Sequence, residues 1–107
     1  MRKLALGVLT MVALMLVGAC KKSGLDACGT SVKECIGKTD CHAEFQCQDG
    51  KRLKLACKSA SPAKIGDRID CECIESTVVG KTVQVQATAW GLDEARATAS
   101  AACGWPR

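Results

Sequence analysis

The sequence predicts a small, disulfide-rich α+β domain: a four-stranded antiparallel sheet with a C-terminal helix packed on one face. Three observations predict it. Between Cys41 and Ala89, apolar side chains recur at every second residue in four separate runs. From Asp93 to Cys103 the small apolar residues change to helical spacing, and Gly104 and Pro106 follow. Cys28, Cys35, Cys41, Cys47, Cys57, Cys71, Cys73 and Cys103 are spread across both regions, and an even set in a short exported chain reads as a disulfide framework.

The 107 residues leave room for one such domain. Met1-Arg2-Lys3 is a short positive start. The 14 residues from Leu4 to Val17 are almost wholly apolar, too few for a membrane span, which needs ~20. Small residues, Gly18 and Ala19, come next. This order is that of a secretory signal peptide, so residues 1–19 are expected to be removed. Val17-Gly18-Ala19-Cys20 resembles the lipobox of bacterial lipoproteins. That resemblance implies cleavage before Cys20, a diacylglycerol on its thiol and a further acyl chain, such as palmitate, on its new amine. Two or more such chains hold a protein stably on a membrane. The cysteine count agrees, because Cys20 would make the set odd and strand one thiol. Residues 20–27 then form the lipidated Cys and a short polar tether, and residues 28–107 the stapled domain. In enteric members of the family, Asp after the lipidated Cys signals retention in the inner membrane. Lys21 departs from that, which favours the outer membrane, facing the periplasm.

Residues 28–40 fit no single period. Cys28, Val32, Cys35 and Ile36 can share one helical face, and Gly37 would end it, so a short helix or turn is expected. The first strand alternates Cys41, Ala43, Phe45 and Cys47 with His42, Glu44 and Gln46. The second alternates Leu53, Leu55 and Cys57 with Arg52, Lys54 and Ala56. Strict alternation means one buried face and one wet face. A two-residue Asp49-Gly50 turn would put Phe45 on the same face as Lys54. A three-residue loop, Gln48-Asp49-Gly50, with Gly50 left-handed, instead sets Phe45 opposite Leu53, Ala43 opposite Leu55 and Glu44 opposite Lys54. It also sets Cys41 opposite Cys57. Taken as a non-hydrogen-bonded pair with α-carbons ~4.5 Å apart, these two are expected to form a disulfide. Cys71, Cys73 and Cys103 share that buried face and compete.

The third run alternates Ile69, Cys71 and Cys73 with Asp70, Glu72 and Ile74. The fourth alternates Val83, Val85, Ala87 and Ala89 with Gln84, Gln86 and Thr88. Gly91 breaks it. Asp93 is the expected N-cap, and Glu94 suits the positive end of the helix dipole. Ala95, Ala99, Ala102 and Cys103 form the packing face.

Removal of Arg2 and Lys3 with the signal peptide lowers the net charge from +4 to +2. So small and mixed a charge does not point to nucleic acid, and Phe45, Trp90 and Trp105 offer no stacking platform for single strands. Trp90 and Trp105 are read as caps on the core, with a contact surface as the alternative. The gaps between the eight cysteines hold 6, 5, 5, 9, 13, 1 and 29 residues, none of them the spacing of paired zinc ligands. No metal and no cofactor is implied. His42 lies on the wet face and its neighbour Cys41 on the buried one, which opposes a Cys-His nucleophile. Cys71-Glu72-Cys73 places two sulfurs on one face, yet Asp70, Glu72 and Glu75 would raise their thiol pKa values and oppose redox activity.

The expected function is therefore that of a lipid-anchored cell-envelope protein, a structural or binding module without catalytic residues. Its partners would be the membrane, through Cys20, and a protein of the envelope. The alternative is a thiol-disulfide redox protein using Cys71 and Cys73.

Overall fold

The computed structural model describes residues 24–107. Within it β1 (Gly29–Lys33), β2 (Asp40–Gln46), β3 (Arg52–Lys58), β4 (Arg68–Glu75) and β5 (Val78–Gln86) precede one helix, α1 (Leu92–Cys103). The strands form an antiparallel sheet in chain order. The class is α+β with one C-terminal helix, and the sheet has five strands, not four.

The additional strand is β1, where a helix or turn was expected. Cys28, Thr30 and Val32 also recur at period two, and β-branched Thr and Val favour a pleated surface. Five residues are too few for periodicity alone to decide. Pairing with β2 decides it, from Gly29 opposite Gln46 to Lys33 opposite His42. The packed domain also begins earlier than Cys28. A 3-10 turn at Leu25–Ala27 leaves Leu25 1% exposed, among the deepest side chains of the core.

The β2–β3 hairpin has the three-residue loop. The Cys47 amide donates to the Lys51 carbonyl at 2.9 Å, the Gly50 amide to the Cys47 carbonyl at 3.0 Å, and Gly50 has φ 86°. Phe45 faces Leu53, Ala43 faces Leu55, Glu44 faces Lys54 and Cys41 faces Cys57. In β5 an extra residue interrupts the ladder. Cys73 lies opposite Lys81 but Ile74 opposite Val79, which leaves Gly80 as a bulge.

Phe45, Leu55, Ala43 and Leu53 line the inner face with Ile69, Val85 and the cysteines. Helix α1 covers it with Ala95 and Ala99, both fully buried. The alanines let the helix lie close and crosswise. Arg96 Nε donates to Thr30 Oγ1 on β1 at 3.1 Å, and Cys103 is bonded to Cys73 on β4. The N-cap is Gly91, two residues before the expected Asp93, with the Glu94 carboxylate folded back over it. Gly104, left-handed at φ 76°, ends the helix by donating its amide to the Ser100 carbonyl. Beyond Gly91 and Gly104 lie Trp90 and Trp105, 6% and 8% exposed, so both belong to the core. Trp105 packs edge-on to Phe45, centroids 6.4 Å apart, and its indole N–H donates to Glu75 Oε1 at 3.2 Å. Trp90 Nε1 is buried without a protein partner among the described residues.

Candidate functional site

The eight cysteines form four disulfides: Cys28–Cys47, Cys35–Cys41, Cys57–Cys71 and Cys73–Cys103. The first joins β1 to β2, the second closes the β1–β2 connection, the third joins β3 to β4, and the fourth joins the sheet to α1. Cys41–Cys57 is therefore not a disulfide, although the two residues do stand opposite each other.

The reason lies in the hydrogen-bond alternation. In an antiparallel pair, hydrogen-bonded and non-hydrogen-bonded residues alternate, and only the latter bring α-carbons to ~4.5 Å. The Cys47–Lys51 hydrogen bond closes the hairpin. Counting back in twos from it makes Phe45–Leu53, Ala43–Leu55 and Cys41–Cys57 hydrogen-bonded pairs, not the non-hydrogen-bonded kind. The Arg52 carbonyl accepts from Ser76 and the Ser59 amide donates to Thr39, which fixes the same parity at both ends of β3. Cys57 thus spends its backbone groups on β2 and presents its close, unbonded side to β4. Its α-carbon is 4.0 Å from that of Cys71. The same alternation brings Cys28 within 4.1 Å of Cys47.

Cys71 and Cys73 are bonded to separate partners, Cys57 and Cys103, and not to each other. Both are buried, at 1% and 4% exposure. Cys20 lies outside the described residues, as do residues 1–19, where a signal peptide was expected, and residues 21–23 of the expected tether.

The outer face of the sheet carries the polar chemistry. Register sets it out in three rows. Asp40, Lys58, Asp70 and Gln84 form one; His42, Ala56, Glu72 and Thr82 the next; Glu44, Lys54, Ile74 and Val79 the third. Ala56 is the short side chain at the centre, flanked by lysines along β3 and by His42 and Glu72 across it. The first two rows, with Lys54 of the third, line an open depression of about 680 Å³. Lys54 Nζ lies 3.5 Å from Glu44 Oε1, and His42 Nε2 lies 3.7 Å from the same oxygen. Gln84 Nε2 donates to Asp70 Oδ1 at 3.0 Å. Lys33 Nζ donates to Asp40 Oδ2 at 3.0 Å, and that hydrogen bond, then the lysine's charge, holds the Asp40 carboxyl below its ordinary range.

Glu44 and Lys54 meet as their alternation implies. Glu72 stands one row away, opposite Ala56, because the β3–β4 register sets Lys54 against Ile74. Ala56 and Lys58 carried no chemical signal of their own in the sequence. The sequence showed only that small Ala56 stands between Lys54 and Lys58 on the wet side of its strand. His42 faces this surface, and the neighbouring Cys41 sulfur is bonded to Cys35 behind it. The arrangement offers both signs of charge around a small apolar floor, which suits binding a partner that carries both signs.

Among the described residues, no helix is long and apolar enough to cross a membrane, and no three His, Cys, Asp or Glu side chains gather as a metal site. No family model, curated protein or solved structure matches the chain.

Proposed function

We propose that this chain is a lipid-anchored protein of the bacterial cell envelope, a rigid binding or structural module held to its membrane through Cys20. One observation carries the reading: the eight cysteines after Cys20 use up their bonding capacity among themselves. None is left to pair with Cys20, which stands at the end of the lipobox-like Val17-Gly18-Ala19. Four disulfides in so short a chain also suit an oxidising compartment. Lys21 in the position after the anchor favours the outer membrane, with the domain in the periplasm. The mixed-charge outer face around Ala56 is the surface offered to an envelope partner.

Cys20→Ser tests the anchor. The wild-type protein should enter the detergent phase on phase separation. The variant should stay in the aqueous phase or persist as an uncleaved precursor. A variant that partitions and processes like wild type overturns the reading. A thiol count on unreduced protein tests the role of the staples. It should find no titratable thiol beyond any at Cys20, whereas a readily reduced Cys71 or Cys73 would support redox use instead.

A further inference from the structure

The tether joins the domain at a fixed point. The Leu25 amide donates to the Pro106 carbonyl at 2.9 Å and the Asp26 amide to the Arg107 carbonyl at 2.8 Å. The residue before them, Gly24, is only four positions from Cys20. Even a fully extended chain spans no more than ~14 Å over that interval. An anchor at Cys20 therefore keeps the Gly24 end of the domain near the lipid surface.

Strand direction identifies what else lies at that end. β1, β3 and β5 run away from it, and β2 and β4 run towards it. It gathers the Cys47–Lys51 turn, the Ser76-Thr77 turn between β4 and β5, and the C-terminal residues. A second observation comes from the β4–β5 tip. Val78 and Val79 are 67% and 48% exposed, although both are strand residues of high apolarity. Successive strand residues point to opposite faces, so the tip is apolar on both sides. Val79 sits opposite Ile74, and Val78 opposite Glu75. Lys51 and Arg52 lie at the same end on β3 and its turn, with Lys81 just beyond the tip on β5, all exposed. At the other end, in the β3–β4 loop, Ile65 is 74% exposed.

We propose that the Gly24 end docks on the bilayer that holds the anchor. Val78 and Val79 dip into the interfacial region, and Lys51, Arg52 and Lys81 face its anionic headgroups. The inference rests on the lipid-anchor reading, which supplies the proximity. The exposed valines and basic residues supply the orientation. Exposed Asp49 and Glu75 share this end, so the apolar tip supplies the attraction, and Lys51, Arg52 and Lys81 outnumber those carboxylates before an anionic lipid interface. The loop carrying Ile65 points away, towards the periplasm.

The test uses the full, acylated protein in vesicles of phosphatidylethanolamine and phosphatidylglycerol, part of the lipid carrying brominated acyl chains. Trp90 and Trp105 are buried, so a Trp placed at an exposed site reports its own surroundings. Val78→Trp and Ile65→Trp are compared, each against wild type. The Val78→Trp signal should be quenched several-fold more strongly than that of Ile65→Trp, and shifted to the blue. Equal quenching at the two sites, or none at Val78→Trp, in protein that floats with the vesicles overturns the docking and leaves the anchor standing. Protein that fails to float with the vesicles overturns the anchor, and the docking with it.

Discussion

Cys57 is bonded to Cys71, the residue directly opposite it on β4, with α-carbons 4.0 Å apart. Cys41, equally opposite on the β2 side, is bonded to Cys35 instead. The choice is set by backbone parity, since Cys57 is hydrogen-bonded towards β2 and free of such bonds towards β4. It is also the choice that leaves no thiol over. Bonding Cys41 to Cys57 would strand Cys35 and Cys71. Peptide mapping without reduction should recover Cys57 linked to Cys71 alone. Replacing both with Ala should cost about 3 kcal/mol, the closure entropy of a loop of this size, read from denaturant unfolding. An unchanged midpoint would show that the bond contributes nothing.

Full reduction should remove most of the stability. The helix packs with alanines, and Phe45, with Trp90 and Trp105 beyond the helix ends, supplies the large rings of the core. A domain of this size buries little apolar area for its length. Thermal unfolding followed by circular dichroism should move far to lower temperature once all thiols are free. A cooperative transition at the original temperature contradicts this.

Phe45→Ala should cost about 3–5 kcal/mol, because Phe45 is fully buried and its loss leaves a cavity. It also removes the edge contact to Trp105, so Trp105 emission should change. Retention of both stability and emission would place Phe45 outside the core.

Gly24→Ala should loosen the junction between the chain ends. Gly24 has φ 75°, and a β-carbon there would meet the Pro106 carbonyl oxygen and the Arg107 carbonyl carbon at 2.5 Å. With ψ −159° the backbone lies in a region that essentially only glycine adopts, and a residue with a β-carbon there costs about 1–3 kcal/mol. Hydrogen exchange at the Leu25 and Asp26 amides should accelerate, while amides of β3 stay protected. Equal protection in the variant would show that the contact is not needed.

Asp40 should titrate below its ordinary value of 3.8. Its lowered folded-state value means that its contribution to stability is present above the unfolded pKa and fades as the pH falls through the folded one. Lys33→Met should return the carboxyl midpoint towards the ordinary value, as followed by carbon NMR of the side chain. The effect on stability is small, since both side chains are exposed.

What the sequence determined by itself is what repeats or counts. Alternation from Cys41 to Cys57 fixes which side chains face inward, and a one-residue slip would bury Lys54 against Phe45, so only the three-residue loop satisfies both burial and charge. Ala95, Ala99 and Gly104 mark the helix and its end, and eight cysteines imply disulfides. The tertiary structure decided the rest. A short edge such as β1 carries too few residues for a period to show, and becomes a strand only because β2 offers it partners. Leu25, in a stretch that reads as tether, is buried by the returning C-terminal segment, a contact between opposite ends of the chain. Glu72 is set against Ala56 rather than beside Lys54 by the register of β3 on β4. Cys57 has two facing cysteines, and which one it bonds depends on where its backbone hydrogen bonds point, a property of neighbouring strands that no residue carries alone.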